Sequence, residues 1–273
     1  AIGWVTSMIQ RGAASMARLG AIFEAPSDIV DGPNSMFPDE IQGAIEFDNV
    51  SLAYDGTTPV LRNISVTVPA GSSLGIVGAV GSGKSSIIGL LPRLYDVTSG
   101  AVRIDGIDVR NISLVTLRGS IAVVPQEAFL FSETIRENIR FGRPSASDED
   151  VLIAAHRAQL HNDVMALPQG YDTVVGERGV TLSGGQKQRT SLARAIASDP
   201  SILVLDDSLS AIDADTEERI LRNLDEVMRG RTTILISHRI STVKRCTNII
   251  VLQGGSIAEQ GSHTELIELG GLY

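Results

Sequence analysis

A glycine-rich run is the first part of the sequence whose residue types and spacing could do chemistry. It consists of Gly78, Ala79, Val80, Gly81, Ser82, Gly83, Lys84 and Ser85. It follows an apolar run at 74–77 and opens a helical pattern, which is the context that a phosphate loop requires. Glycines let backbone N–H groups approach phosphate oxygens, and Lys84 adds a compact positive charge at the β- and γ-phosphates. The run predicts binding of a nucleoside triphosphate, with Ser85 holding Mg²⁺ and Ser86 among the nucleotide contacts.

A second candidate lies where an apolar strand ends in two carboxylates. Residues 202–205 form an unbroken apolar run, and Asp206 and Asp207 follow it directly. In phosphate-loop proteins the acid at the end of such a strand helps to hold the magnesium ion, so we expect that role of Asp206. An acid after a strand can also cap a turn or a helix, but the phosphate loop upstream favours the magnesium role.

A third candidate, which we call the signature segment, lies between the other two. It reads Leu-Ser-Gly-Gly-Gln and comprises Leu182, Ser183, Gly184, Gly185 and Gln186. A serine cap and two glycines at a helix N-terminus predict an anion site that has no lysine of its own. Together with the phosphate loop before it and the acidic strand after it, this segment resembles the signature of ABC-transporter ATPases. The resemblance extends from about residue 45 to residue 273.

The resemblance implies a role for the signature segment and for several residues outside the three motifs. In that family the signature segment closes over the γ-phosphate held by the opposite subunit, so it acts in trans on a second nucleotide-binding domain. Tyr54 is placed like the aromatic residue that stacks on adenine. Gln126 resembles the glutamine that reaches Mg²⁺, and His238 resembles the switch histidine that contacts the γ-phosphate. Residues 210–213 resemble the D-loop. ATP and Mg²⁺ are therefore the expected ligands.

One position departs from the family pattern. Asp207 stands where the family usually has the Glu that polarises the attacking water, and its side chain is one methylene shorter. General-base assistance is typically worth about 10² to 10⁴ in rate, so we expect slow hydrolysis while nucleotide and Mg²⁺ binding survive. Lys84, Asp207 and His238 are the expected catalytic residues. Three possibilities stay open: a degenerate site in a heterodimer, activity sustained with the help of His238, and a module that only clamps ATP.

Two further segments resemble exporter-type members of the family. Residues 176–179 resemble the X-loop that meets the membrane domains, so contact with transmembrane domains is expected through residues 126–179. Residues 1–25 carry apolar residues at helical spacing, a pattern that by itself also fits an amphipathic helix packed on another protein element. They resemble the cytoplasmic end of a last transmembrane helix, and residues 26–43 form a proline-containing linker. The resemblance implies a membrane-associated exporter subunit whose ATPase domain, residues 44–273, lies on the cytoplasmic face. Its expected partner is a second nucleotide-binding domain, with a heterodimer favoured over a homodimer.

Composition and charge argue against several other classes of protein. The chain has 273 residues, 43% of them apolar, which is enough for a sizeable core. Twenty-three Lys and Arg against 32 Asp and Glu give a net charge of −9, which disfavours a nucleic-acid partner and a soluble ABC ATPase acting on DNA or ribosomes. The single cysteine, Cys246, permits no disulfide within the chain. No apolar run is long enough for a complete membrane span.

His156 and His161 are five residues apart and do not share a helical face, so they are not expected to be metal ligands.

Apolar runs rich in β-branched residues alternate with helical stretches beyond the linker. Strands are predicted at 45–54, 64–68, 74–77, 102–105, 121–124, 202–205, 232–237 and 248–252, and helices at 85–94, 148–159, 185–198 and 215–228. This alternation predicts an α/β fold with an early antiparallel addition. The resemblance specifies it further as a P-loop NTPase: a RecA-like core, an N-terminal antiparallel β subdomain and an ABC-specific helical subdomain at about 133–198.

Overall fold

The structure is a computed structural model of the chain and describes residues 2–25, 27–33, 35–176, 181–209 and 214–273. It divides into two compact units, residues 1–30 and residues 31–273. The first unit contains helix α1 (Ile2–Phe23), in which none of the described residues is buried. None of the described helices combines the length and the apolarity needed to cross a lipid bilayer.

The second unit contains ten strands and nine further helices among the described residues. The strands are β1 (Ile45–Leu52), β2 (Leu61–Val68), β3 (Ser73–Gly78), β4 (Ser99–Ile104), β5 (Ile107–Asp108), β6 (Ile121–Val124), β7 (Ile202–Asp206), β8 (Thr232–Ile236), β9 (Asn248–Gln253) and β10 (Ser256–Gly261). The helices are α2 (Lys84–Leu90), α3 (Leu114–Gly119), α4 (Ile135–Arg140), α5 (Asp148–Arg157), α6 (His161–Met165), α7 (Gly184–Ala197), α8 (Ala214–Met228), α9 (Ile240–Val243) and α10 (His263–Leu269).

The strands form two sheets of different type. A four-stranded sheet has the order β2-β1-β4-β5, and every pairing in it is antiparallel. A six-stranded sheet has the order β10-β9-β3-β8-β7-β6; its pairings are parallel except at the edge, where β10 runs antiparallel to β9. The prediction of an α/β core with an antiparallel β portion is therefore confirmed. Helices α4 to α7 lie between β6 and β7 in the chain and supply the predicted helical portion.

The core lies on both faces of the six-stranded sheet because side chains alternate along each strand. In β7, Leu203 and Leu205 belong to one apolar cluster, which includes residues of α4, α5 and α7. Ile202 and Val204 belong to the other cluster, which includes residues of β1, β2, β4 and α2. Parallel sheets are typically covered on both faces, and their central strands then read as continuous apolar runs. This explains why residues 202–205 carry no polar alternation.

The predicted boundary near residue 43 coincides with a tight anchoring point. The carboxylate of Asp105 accepts hydrogen bonds from the backbone N–H groups of Gln42 at 2.7 Å, Gly43 at 3.2 Å and Ala44 at 2.7 Å. Three donors on one carboxylate fix the chain where it enters β1. The division of the chain at residues 25 and 43 stays a prediction.

Cys246 gives a test of this core. It is buried in the cluster that contains Leu203, and burial raises the pKa of its thiol to about 12. Above about pH 9 an unfolded chain would lose this proton while the folded chain keeps it. The free energy of unfolding should therefore fall by about 1.4 kcal/mol for each pH unit, relative to Cys246→Ala. Urea unfolding of both proteins between pH 8 and pH 11 measures this difference, and parallel curves would contradict it.

Candidate functional site

The glycine-rich run forms a loop between the end of β3 and the start of α2. Strand β3 lies in the middle of the six-stranded sheet, between β9 and β8, and its residues 73–77 are buried. The loop emerges at the carboxyl end of this strand, and α2 begins at Lys84 with Gly83 as its N-cap residue. In open α/β sheets ligands bind at the carboxyl ends of the strands, so the fold places this loop where a binding site is expected.

Two glycines of the loop are required by close packing as well as by backbone conformation. Gly78 has φ 156°, and a Cβ there would lie 2.5 Å from the carbonyl oxygen of Leu252. Gly83 has φ 100°, and its Cβ would lie 2.6 Å from Cδ2 of Leu61. Side chains at these positions would force the loop out of its present path. The glycines therefore permit the close path that the loop takes between β3 and α2.

Lys84 lies inside the curve of the loop. Only 9% of the residue is exposed, and its Nζ donates to the carbonyl oxygens of Gly78 at 2.8 Å and Ala79 at 2.9 Å. Burial lowers the pKa of the Lys84 ammonium, while the charges of Asp206 and Asp207 act in the opposite direction. The ammonium is therefore held in place before any ligand contact, within the field of two carboxylates.

Asp206 and Ser85 face each other across the cleft. Asp206 ends β7, and Ser85 lies in the first turn of α2. The Ser85 hydroxyl donates to Asp206 Oδ2 at 3.2 Å. Burial raises the pKa of the Asp206 carboxyl, and the hydrogen bond from Ser85 opposes that rise. A hydroxyl and a carboxylate are the hard oxygen donors that Mg²⁺ prefers, so this pair fits the ion that the sequence predicts.

Gln126, Asp207 and His238 meet Lys84, Ser85 and Asp206 at the same cleft, which has a volume of about 270 Å³. Its lining includes residues from four separate parts of the chain: Gly81, Gly83, Lys84, Ser85 and Ser86 from the loop and α2, Gln126 after β6, Asp206 and Asp207 after β7, and His238 after β8. Gly78, Ala79 and Ser82 line instead a second cleft of about 570 Å³, to which Val80, Gly81 and His238 also contribute. The fold therefore brings the loop, the acids, Gln126 and His238 together although they lie far apart in the sequence.

Asp207 has an unusual backbone conformation. Its φ is 42°, in the left-handed region, and its N–H donates to the carbonyl oxygen of Ile236 at 2.9 Å. Asp and Asn enter this region more readily than most residues. Aspartate therefore suits the backbone at this position, and the hydrogen bond to Ile236 joins that backbone to β8.

Tyr54 lies just beyond the end of β1 and does not line the cleft of Lys84. Its hydroxyl donates to Ser86 Oγ at 3.0 Å, and its ring packs edge-on against Tyr95 with centroids 4.8 Å apart. The residue is 54% exposed. Tyr54 is thus hydrogen-bonded to the helix that follows the phosphate loop, and it is also solvent-exposed.

The signature segment lies apart from this cleft. Ser183 is the N-cap of α7, where its hydroxyl accepts from Gln186 N at 3.3 Å and Gln186 Oε1 accepts from Ser183 N at 3.0 Å. None of residues 183–186 is among the described residues that line the cleft. The sequence prediction of a serine-capped helix start is borne out by this geometry. Residues 177–179 of the predicted X-loop and residues 210–213 of the predicted D-loop lie outside the described residues.

The structure adds a buried carboxylate that the sequence reasoning missed. Glu217 of α8 is only 5% exposed; it forms an ion pair with Arg239 and accepts from Thr242 Oγ1 at 2.9 Å. Since Arg239 follows His238 directly, Glu217 holds the segment that carries the histidine. A signal was present, because Glu217 stands three and four residues before the buried Ile220 and Leu221, on the apolar face of α8.

A second missed contact joins α7 to Gln126. The buried Gln188 donates from Nε2 to the backbone carbonyl oxygen of Gln126 at 3.3 Å. This bond connects the helix of the signature segment to the residue that lines the cleft. Movement of α7 would therefore reach Gln126 through a direct contact.

Comparison with known proteins identifies the family to which this chain belongs. The family model described as ABC transporter matches residues 61–210, which is more than half of the chain. The chain belongs to the ABC transporter family. The expected resemblance and the expected fold of this family are confirmed. As in an ABC ATP-binding domain, the matched region contains the phosphate loop, the signature segment and the acidic strand.

Individual ABC proteins show the same relationship over the whole chain. The ABC transporter ATP-binding protein YknU of Bacillus subtilis (strain 168) is 50% identical over 273 residues, covering 100% of this chain and 47% of that protein. The ATP-dependent lipid A-core flippase of Syntrophus aciditrophicus (strain SB) is 43% identical over 269 residues, covering 98% and 45%. A solved structure of a bacterial Atm1-family ABC exporter with ATP bound has a TM-score of 0.91 and 42% identity, covering 100% of this chain and 48% of that one. The chain thus spans about half the length of the relatives it matches.

Proposed function

We propose that this chain binds and hydrolyses ATP as part of an ABC exporter, and that ATP drives two such domains together to power substrate movement across a membrane. The observation that carries the proposal is the single cleft in which Lys84, Ser85, Gln126, Asp206 and His238 converge. A triphosphate needs positive charge and N–H donors along its tail, and oxygen donors for its metal ion. This cleft offers both sets of groups side by side.

The residues of the cleft divide between the phosphates, the metal ion and the adenine ring. Lys84 and the amides of residues 78–83 hold the β- and γ-phosphates. Ser85, Asp206 and Gln126 would hold Mg²⁺, which supplies positive charge to the phosphoryl oxygens as charge develops there. His238 orients the γ-phosphate. Tyr54 stacks on the adenine ring, a contact worth about 1 to 3 kcal/mol for base stacking on aromatic side chains.

Asp207 supports the proposal that hydrolysis at this site is slow. The family pattern has Glu here, and hydrogen-bond reach to an attacking water is about 2.6 to 3.2 Å, so one methylene fewer withdraws the carboxylate. The left-handed backbone and the bond to Ile236 limit how far Asp207 can adjust. The same residue favours the second candidate function, an ATP clamp whose partner performs most of the turnover.

The placement of the signature segment supports a second nucleotide-binding domain as partner. Its serine-capped helix start offers N–H donors but lies outside the cleft of its own chain, so its proposed target is the nucleotide of another chain. A partner with an intact catalytic Glu would compensate for Asp207, and we therefore favour a heterodimer over a homodimer.

The names of the relatives support the remaining assignments. They describe a flippase and an exporter, so we infer attachment to transmembrane domains, contact with them through residues 126–179 and a position on the cytoplasmic face of a membrane. Exposed Phe129 and Phe141 offer apolar surface within that range. Residues 1–25 would be the cytoplasmic end of the last transmembrane helix, residues 26–43 the linker and residues 44–273 the ATP-binding domain. The net charge of −9 supports the absence of a nucleic-acid partner.

Association driven by ATP tests this proposal. We expect ATP with Mg²⁺ to raise the fraction of chain in a complex, with a second copy or with a copurifying ABC chain, as measured by analytical ultracentrifugation. Ser183→Arg should abolish that rise because a bulky cation replaces the cap of α7. Ser262→Arg is the matched control, since Ser262 caps α10 with the same reciprocal bonds to Glu265. If both variants respond to ATP alike, the signature segment does not act in trans.

A further inference from the structure

A separate cleft of about 200 Å³ lies away from the phosphate loop, within residues 31–273. Its walls come from the loop before α5, from α5, from the end of α7 and from the turn before β8. Three arginines line it, Arg143, Arg157 and Arg231, together with two carboxylates, Asp150 and Asp199. The arginines of the lining therefore outnumber its carboxylates by one. This local excess of positive charge occurs in a chain whose net charge is −9.

The two carboxylates do not saturate the three guanidinium groups. Arg143 Nη2 pairs with Asp150 Oδ2 at 2.9 Å, and Arg231 pairs with Asp199. In the part of the chain that the structure describes, Arg143 Nε and Arg231 Nη1 are buried and have no hydrogen-bond partner. The guanidinium of Arg157 forms no ion pair with any described residue. Each guanidinium carries five N–H donors, so most donors around the cleft are unused by the fold.

The size of the cleft limits what it can hold. Sites for drug-sized ligands typically have about 300 to 1,000 Å³, and this cleft is smaller. Planar guanidinium groups match the oxygens of phosphate in two-point contacts. We propose that this cleft binds one phosphate group, either inorganic phosphate or the phosphate of a small monoester. Arg157 provides the contact that the fold leaves free, while Arg143 and Arg231 share their donors between the anion and their aspartates.

Such an anion would join two parts of the domain. Arg157 belongs to α5, in the helical portion, whereas Arg231 directly precedes β8 of the central sheet. One phosphate between them would lower the repulsion of neighbouring guanidinium groups and hold α5 against the sheet. Since the chain is negative overall, long-range attraction does not assist binding, and the affinity depends on these local donors.

Thermal unfolding in the presence of sodium phosphate tests the proposal. The test uses the Lys84→Ala protein, so that phosphate bound at the phosphate loop does not contribute, with sodium chloride adjusted to constant ionic strength. At a phosphate concentration about ten times the Kd, the unfolding midpoint should rise by about 2 to 5 °C. Glycerol phosphate replaces sodium phosphate in a second arm. An equal rise there identifies a monoester as an acceptable ligand, and a rise with phosphate alone identifies the free ion.

Variants of Arg157 assign the rise to this cleft. Arg157→Gln should weaken phosphate binding about tenfold or more, because one charged donor is lost, and Arg157→Lys should retain part of the affinity. Arg157 forms no ion pair with a described residue, so its replacement should leave the midpoint without phosphate nearly unchanged. Arg62→Gln, an exposed arginine on β2, is the control and should behave like the parent. The proposal is overturned if phosphate gives no rise beyond chloride, or if Arg157→Gln and the parent respond equally.

Discussion

Replacing Lys84 by Ala is expected to weaken ATP binding by about 10- to 10²-fold and to lower ATP hydrolysis at least as much. Lys84 is the only lysine among the described residues that line the cleft. A hydrogen bond to a charged group contributes about 1.5 to 3 kcal/mol, which corresponds to this loss of affinity. Its loss also removes the bonds that Nζ makes to the carbonyl oxygens of Gly78 and Ala79, which shape the loop. Both effects act on the triphosphate tail.

Lys244→Ala is the matched control for this variant. Lys244 is an exposed lysine at the end of α9 and lines neither cleft beside the phosphate loop. The affinities of both variants for ATP with Mg²⁺ are measured by titration calorimetry. The affinity of Lys244→Ala should equal that of the parent. Equal affinities for parent and Lys84→Ala would remove the phosphate loop from the account.

Replacing Asp207 by Glu is expected to raise ATP turnover by about 10²-fold. The longer side chain would bring a carboxylate within reach of the attacking water, and a positioned general base is worth about 10² to 10⁴. The gain is expected at the lower end, because the backbone at this position has φ 42° and Glu enters that region less readily than Asp. Steady-state phosphate release from the assembled complex measures the change.

Asp207→Asn separates charge from position at the same residue. It removes the carboxylate while it keeps the length and the left-handed backbone of Asp. Turnover should stay at or below that of the parent, and ATP affinity should change little. If the parent and Asp207→Glu hydrolyse ATP at equal rates, the site is not degenerate and Asp207 needs no compensating partner.

The main elements of the fold could be predicted because their signals are local. Every predicted strand and helix has a counterpart in the structure, since long apolar runs and caps such as Ser183 act within a few residues. Elements without such local signals were not predicted. Strand β5 has two residues and is defined only by its pairing with β4, and β10 carries Glu259 and Gln260 on an edge that has one neighbour.

The candidate site could be predicted for the same reason, since the phosphate loop, Asp206 and the signature segment are contiguous runs. Contacts between distant segments could not be predicted from spacing. Glu217 meets Arg239 across 22 residues, and the cleft of Arg143, Arg157 and Arg231 forms only after α5 packs near β8.

The two histidines show where spacing alone misleads about proximity. The sequence predicts that they do not share one helical face, and they do not, because α5 ends at Arg157 and α6 begins at His161. Yet the rings of His156 and His161 stack at 3.9 Å, since the turn between the helices brings them together.

The most direct test of the central claim is the ratio of the affinities for ATP and AMP, measured by calorimetry with Mg²⁺ present. If residues 78–85 hold the triphosphate tail, ATP must bind at least about 10²-fold more tightly than AMP, because AMP lacks the two phosphates that face Lys84 and Ser85. The ratio should fall towards one in Lys84→Ala and stay high in Lys244→Ala. Equal affinities of the parent chain for ATP and AMP would contradict the account.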